Sequence, residues 1–151
     1  MVGQLATERL RLDALVPSDA DDVLEYCNDA TLQAFVPVPV PYTRDTAEGY
    51  VVVYAEKAPM LWAIRGRNDA RLLGVIELTP EPLGSAEVGY WLGAEHRGRG
   101  IMSEAVGAVA EFGLSPGGAD LTRLSWCAVV GNVPSARAAR SAGFRFEGMR
   151  R

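Results

Sequence analysis

The feature that most constrains this chain is the stretch SAEVGYWLGAEHRGRGIMSEAVGAVAEF, residues 85–112. Residues 86–92 are rich in β-branched and aromatic side chains and read as a strand. Residues 93–99 read as a polar glycine loop, and from Gly100 the apolar residues recur at helical spacing. A strand that runs through such a loop into a helix start is a place for an anion. The first-turn N–H groups lack intrahelical acceptors, and the helix dipole puts partial positive charge at the same end. Gly98 and Gly100 carry no Cβ that would keep a pyrophosphate off the backbone, and Arg97 and Arg99 add permanent charge. A phosphate-bearing cofactor is the expected ligand, with the Ser103 hydroxyl beside it.

The competing reading of a bare glycine pair is a surface turn with solvated arginines. The stretch also lacks the GxxxxGK[ST] spacing of a P-loop, and it is not a GxGxxG loop after an N-terminal strand. The wider context favours a cofactor. Arg97, Gly98, Arg99, Gly100, Ile101 and Met102 together resemble the R/Q-x-x-G-x-G/A signature of the GNAT superfamily of acyl-CoA-dependent N-acyltransferases, with Met102 where Gly or Ala is usual. The longer run GYWLGAEHRGRGIMSEA resembles the branch typified by the ribosomal-protein-alanine acetyltransferases RimJ and RimL. A second block, Asn132 to Ser135 followed by Gly143 and Phe144, resembles that branch's N-x-x-S helix start and terminal G-F.

Composition narrows the rest. With 151 residues, the chain is expected to be one acyltransferase domain spanning 1–151. No apolar run approaches membrane-spanning length and the N-terminus has no signal-peptide hydrophobic region, so the expected compartment is the cytoplasm, without a membrane partner. His96 is the sole histidine, which leaves little for a zinc site or a serine–histidine triad, and no metal is expected. As a loop residue it is expected to be solvated. Cys27 and Cys127 have no CxxC spacing and read as buried free thiols. A formal net charge of −4 argues against nucleic acid and suits a cationic acceptor.

Along the chain, residues 7–12 alternate as an opening strand and Ser18 or Asp19 starts a helix to about Asn28. Residues 36–41, VPVPVP, read as an extended connector because each proline lacks a donor and restrains its predecessor. Thr43 or Asp45 starts a second helix to about Lys57, and residues 60–65 and 72–79 form a strand pair. Met102, Ala105, Val106, Val109 and Phe112 give the third helix its core stripe. A fifth strand is expected over 121–130, a helix from near Pro134 to Gly143, and the start of a last strand over 144–149.

The resemblance implies a mixed α/β fold: a mostly antiparallel twisted sheet flanked by helices and splayed between the fourth and fifth strands, its C-terminal strand missing or cut short. A further chain, as in a homodimer, is one way to cover the edge so exposed. The implied activity is transfer of an acetyl group from acetyl-CoA to a primary amine, on a protein N-terminus or a small molecule, by direct attack in a ternary complex. Fold likeness does not choose the acceptor. The alternatives are a CoA-binding protein without catalysis and a nucleotide-binding module. By the resemblance, the backbone of Trp91 and Leu92 pairs with the pantetheine arm, across a gap opened by a bulge at Gly93 and Ala94. The Leu92 amide polarises the thioester carbonyl, and residues 97–103 hold the pyrophosphate. Asn132 contacts pantetheine. Glu77 and Glu87 are the candidate general bases, with an exposed strand face or an arginine partner as the plainer reading of each. Ser135 is the candidate proton donor to the thiolate, with a helix-start serine as its plainer reading. Phe35 and Tyr42 are the candidate acceptor wall.

Overall fold

The computed structural model describes residues 2–150. Among these residues six strands form one sheet in chain order: β1 (Leu5–Ala6), β2 (Leu10–Asp13), β3 (Leu61–Gly66), β4 (Leu72–Glu81), β5 (Ser85–Leu92) and β6 (Arg123–Trp126). All neighbours are antiparallel except β5 and β6, which run parallel. The helices are α1 (Ala20–Cys27), α2 (Ala30–Phe35), α3 (Arg44–Gly49), α4 (Ala55–Lys57), α5 (Ile101–Leu114) and α6 (Val133–Ser141). Between α3 and α4 the backbone widens into a π-helical segment, Tyr50–Tyr54.

The sheet is covered on both sides, which is why its central strands read as apolar runs rather than as alternation. On one side Leu12, Trp62, Ile64, Ile76, Leu78 and Val88 meet the stripe of α5, where Met102, Ala105, Val106 and Val109 are buried as the spacing predicts. On the other, Ala63, Val75 and Leu61 meet Val23 and Cys27 of α1, Ala47 of α3 and Val51. Each such fully buried Val, Leu or Ile contributes about 1.5–3 kcal/mol relative to exposure. An ionic tie joins the second layer to the sheet. The buried Arg65 guanidinium on β3 donates to both carboxylate oxygens of Asp19 (2.8 and 2.7 Å) and to Asp13 (2.8 Å), fixing the turn from β2 into α1.

Several local expectations need revision. α2 was not foreseen; its one clear signal is Asp29, whose carboxylate caps Leu32 N–H at 2.8 Å. Thr43 caps α3 as expected. The fifth strand, expected over 121–130, is only β6, because its pairing with β5 ends at Val88 and Trp126. Cys127, just past that end, is exposed rather than buried, whereas Cys27 is buried. Residues 144–149 do not begin a strand, and among the described residues nothing pairs with the outer edge of β6.

The splay between the fourth and fifth expected strands is present, with a different cause from the bulge anticipated at Gly93 and Ala94. Gly93 N–H still donates to the Leu73 carbonyl at 2.9 Å, so β5 stays in register with β4 to its end. Among the described residues the sheet shifts register only between Ile64 and Arg65 of β3. It is β6 that stops short. The close approach of β4 to the end of β5 depends on Gly74: a Cβ there would stand 2.3 Å from the Trp91 carbonyl oxygen and 2.9 Å from Leu92 Cα. Both are backbone atoms of a paired strand and have nowhere to move. Gly74→Ala should therefore destabilise the chain by roughly 2–3 kcal/mol, the upper part of the range for single substitutions, measured by denaturant unfolding.

Candidate cofactor and acceptor site

The glycine loop is built to leave donors free. Gly98 and Gly100 take φ of +75° and +72°, which only glycine adopts without strain, and Gly100 is the N-cap of α5. The first intrahelical bond is Glu104 N–H to the Gly100 carbonyl at 3.1 Å. From Gly98 to Ser103, no backbone N–H has a hydrogen-bond acceptor among the described residues. Six consecutive donors at a helix N-terminus form a cradle for an anion. A Cβ at Gly98 would meet nothing, so the cradle is open above it. Met102, at the departure from the usual Gly or Ala, turns its side chain into the core at 8% exposure and offers the cradle only its N–H. Ile101 and Ser103 are half-buried beside it.

The two arginines divide. Arg99 is exposed and makes no hydrogen bond or ion pair among the described residues, so its charge is available to a ligand. Arg97 is committed: its guanidinium bonds Asp29 Oδ2 at 3.2 Å and the Leu92 carbonyl at 3.1 Å, tying the loop to α2 and to the end of β5. A residue the sequence did not single out, Arg9, braces the loop from the β1–β2 turn. It donates to the Arg99 carbonyl (2.9 Å) and to Glu104 in the first turn of α5 (2.6 Å). Nothing local marks Arg9, since its partners lie 90 and 95 residues away in sequence.

Beside the cradle, β5 runs past the end of β6. Gly93 and Leu73 are a bonded pair, so by the alternation of an antiparallel ladder Leu92, opposite Gly74, turns its backbone groups away from β4. Leu92 N–H thus faces the gap beyond Trp126. The same alternation commits the Trp91 backbone to Val75, which corrects the expectation that Trp91 and Leu92 both present backbone to a ligand there. Across the gap stands α6. Asn132 caps it, its Oδ1 accepting from Ser135 N–H at 3.4 Å, and Ser135 is half-buried in the first turn. Tyr90 closes the floor, its hydroxyl donating to the Ser135 carbonyl at 2.7 Å.

The carboxylates lie on the opposite face of the sheet, toward α3. Glu77 on β4 is half-buried, and burial raises its pKa above the ordinary carboxylate value, although bonds from Tyr54 and Thr79 oppose the shift. Tyr54 O–H donates to Glu77 Oε2 at 2.8 Å. Glu87 on β5 shares that face and is also half-buried, at 36% side-chain exposure, with Arg150 at 3.6 Å. Of the expected acceptor wall, Phe35 ends α2 half-buried. Tyr42 is in the core at 6% exposure, its backbone held by Asn28, and so does not line a surface. His96 is buried too, edge-on to Tyr26, with Nε2 2.9 Å from the Tyr26 hydroxyl, which itself donates to the Leu72 carbonyl. The expectation of a solvated loop histidine fails because Gly93 lets the loop close directly over the Tyr26 ring. No group of three or more His, Cys, Asp or Glu among the described residues could hold a metal ion, and no helix there is long and apolar enough to cross a membrane.

Residues 9–145 match the acetyltransferase (GNAT) domain. The chain is 28% identical over 154 residues to the uncharacterized N-acetyltransferase p20 of Bacillus licheniformis, an alignment covering 97% of this chain and 85% of that protein. It superposes on a GNAT-family acetyltransferase from Bacillus anthracis with a TM-score of 0.86 at 23% identity, covering 97% of this chain and 86% of that one. It also superposes on RimL, a ribosomal alpha-N-protein acetyltransferase in complex with coenzyme A, with a TM-score of 0.80 at 25% identity, covering 97% and 86%.

The buried histidine gives a testable consequence. Burial lowers the His96 pKa, so the folded chain keeps the ring neutral. Below the ordinary histidine value of about 6.5 the unfolded chain binds a proton that the folded chain refuses. Stability should therefore fall as the pH drops from about 6.5 toward the lowered folded value, then level off. Melting temperatures between pH 7 and 5 would show this, and His96→Gln should remove that part of the slope.

Proposed function

The chain belongs to the acetyltransferase (GNAT) family, and from that premise we propose that it transfers the acetyl group of acetyl-CoA to a primary amine. The observation that carries this reading is the run of six unpaired N–H groups from Gly98 to Ser103 beside the outward-facing Leu92 N–H. One end suits a pyrophosphate and the other a carbonyl oxygen, as an extended cofactor with a thioester at its tip requires. Acetyl-CoA supplies the activated acetyl group. The residues that would hold it are the backbone of Gly98, Arg99, Gly100, Ile101, Met102 and Ser103, the Arg99 guanidinium, Asn132 and Leu92, while Arg97 and Arg9 hold the loop.

In this reading Leu92 N–H stabilises negative charge on the carbonyl oxygen as the amine adds. Glu77 takes the proton from the acceptor ammonium, since a carboxylate of raised pKa, fixed by Tyr54, is the better-placed base; Glu87 is opposed by Arg150. The Ser135 hydroxyl, at the gap, gives a proton to the departing thiolate and regains one from water. Positioning of both reactants on one rigid strand end accounts for a large share of the rate.

Acetyl-CoA at about 100 times its Kd should stabilise the fold by roughly 2.7 kcal/mol, a shift of several degrees in melting temperature. Gly100→Glu places a carboxylate in the cradle and should abolish that shift. An unchanged shift would overturn the assignment of the cradle. With an amine acceptor, CoA release should rise with pH through an inflection above the ordinary glutamate value of about 4.3. Glu77→Gln should lower kcat by about 10²-fold or more and remove that limb.

A further inference from the structure

The middle of β5 carries an opening. Gly89 lies directly opposite Glu77, is exposed, and a Cβ built on it would meet nothing within 4 Å. Strand alternation puts Glu87 and Trp91 on the same face two residues either side of it. Tyr50 and Tyr54, from the π-helical segment, wall this face; their rings are stacked 5.2 Å apart at 13°, and the Tyr54 hydroxyl bonds Glu77. Two residues four apart share one face of a helix, which allows the stack, and π-helical turns recur at functional sites. Neither tyrosine serves the core alone, since Tyr54 is 44% exposed and Tyr50 half-buried.

We propose that the opening over Gly89 selects the acceptor and takes a primary amine whose α carbon bears no free carboxylate. Glu77 meets the ammonium, Tyr54 is a positioning residue that orients Glu77, and the tyrosine faces receive the apolar or aromatic group next to the amine. This rests on the acetyl-transfer reading above. The charges carry the argument. Glu77 and Glu87 are the ionic groups of the sheet face here, and Arg150, the cation beside them, is engaged by Glu87. The arginines of the surrounding elements have partners already: Arg44 with Asp21, Arg65 with Asp13 and Asp19, and Arg97 with Asp29. An ammonium finds a carboxylate and aromatic faces, both favourable. Lys57 on α4 and Arg99 in the glycine loop have no ion pair among the described residues, but both lie off this sheet face, so a carboxylate one carbon from that nitrogen would meet Glu77 first, which is rejection by repulsion. A peptide N-terminus and a simple amine share the accepted chemistry.

The test is acetyl-CoA-dependent release of CoA thiol with phenethylamine, phenylalaninamide, a dipeptide amide and free phenylalanine. The first three should be accepted, and phenylalanine should have a kcat/KM at least 10-fold below phenylalaninamide. Preference for the dipeptide amide over phenethylamine would identify a peptide N-terminus as the source, and the reverse a small amine. Tyr54→Phe keeps the stack and removes the bond to Glu77. It should raise the acceptor KM about 10-fold and leave the acetyl-CoA KM unchanged. Gly89→Val should abolish transfer while the acetyl-CoA melting shift persists. Equal use of phenylalanine and its amide, as would follow if Lys57 reached in to meet the carboxylate, overturns the proposal. So does Tyr54→Phe that moves both KM values alike or neither. Acetyl-CoA stabilisation without transfer to any of the four overturns the acceptor site alone, whereas no stabilisation overturns the acetyl-transfer reading beneath it.

Discussion

The early end of one strand pairing governs this structure. β5 and β6 run parallel only to Val88 and Trp126, and beyond that point β5 continues with one backbone edge unpartnered. Unpaired backbone groups inside a sheet are costly unless something satisfies them. Here the Leu92 carbonyl is met by Arg97, and its N–H is left facing the gap. A sheet that closed fully would have no place for an extended ligand between its strands. The same feature sets α6 apart from the rest of the sheet, bridged to it by the Tyr90 hydroxyl.

Around this gap the fold keeps the two proposed binding chemistries on separate elements. The cradle belongs to the start of α5, whose apolar stripe is buried against the sheet, so the loop before it has a rigid base. Arg9 and Arg97 tie that loop to the β1–β2 turn and to α2 through bonds of long sequence separation. The carboxylate side is held differently. Glu77 is on a central strand, and its partner Tyr54 comes from a π-helical segment anchored by Val51 in the second core.

Arg97 shows how a sequence motif and a structural role can differ. As a cation in a glycine loop it reads as a phosphate ligand. In the fold it is bonded to Asp29 and to the Leu92 carbonyl, and of the two loop arginines it is Arg99 that has no partner among the described residues. The positive charge of the loop is real in both readings, but one of the two charges is spent on holding the loop beside β5. The gap has a similar history: a bulge at Gly93 was the expected cause, and the short β6 is the actual one.

The sequence by itself determined the elements with strong local signals. The strand, glycine loop and striped helix of residues 85–112, the cap at Thr43 and the helix start near Pro134 are as read, because propensity, periodicity and hydrogen-bonding side chains act within a few residues. The family and its acetyl-transfer chemistry were legible for the same reason, since Gly98, Gly100 and Asn132 lie in contiguous motifs. Only the tertiary structure decided what depends on distant partners. The burial of His96 against Tyr26, the brace from Arg9, the length of β6, the Gly74 approach and the pairing of Tyr54 with Glu77 join residues 23 to 95 positions apart, or strands whose register no local pattern fixes. Short-range chemistry wrote the cradle, and long-range packing chose which of its neighbours face it.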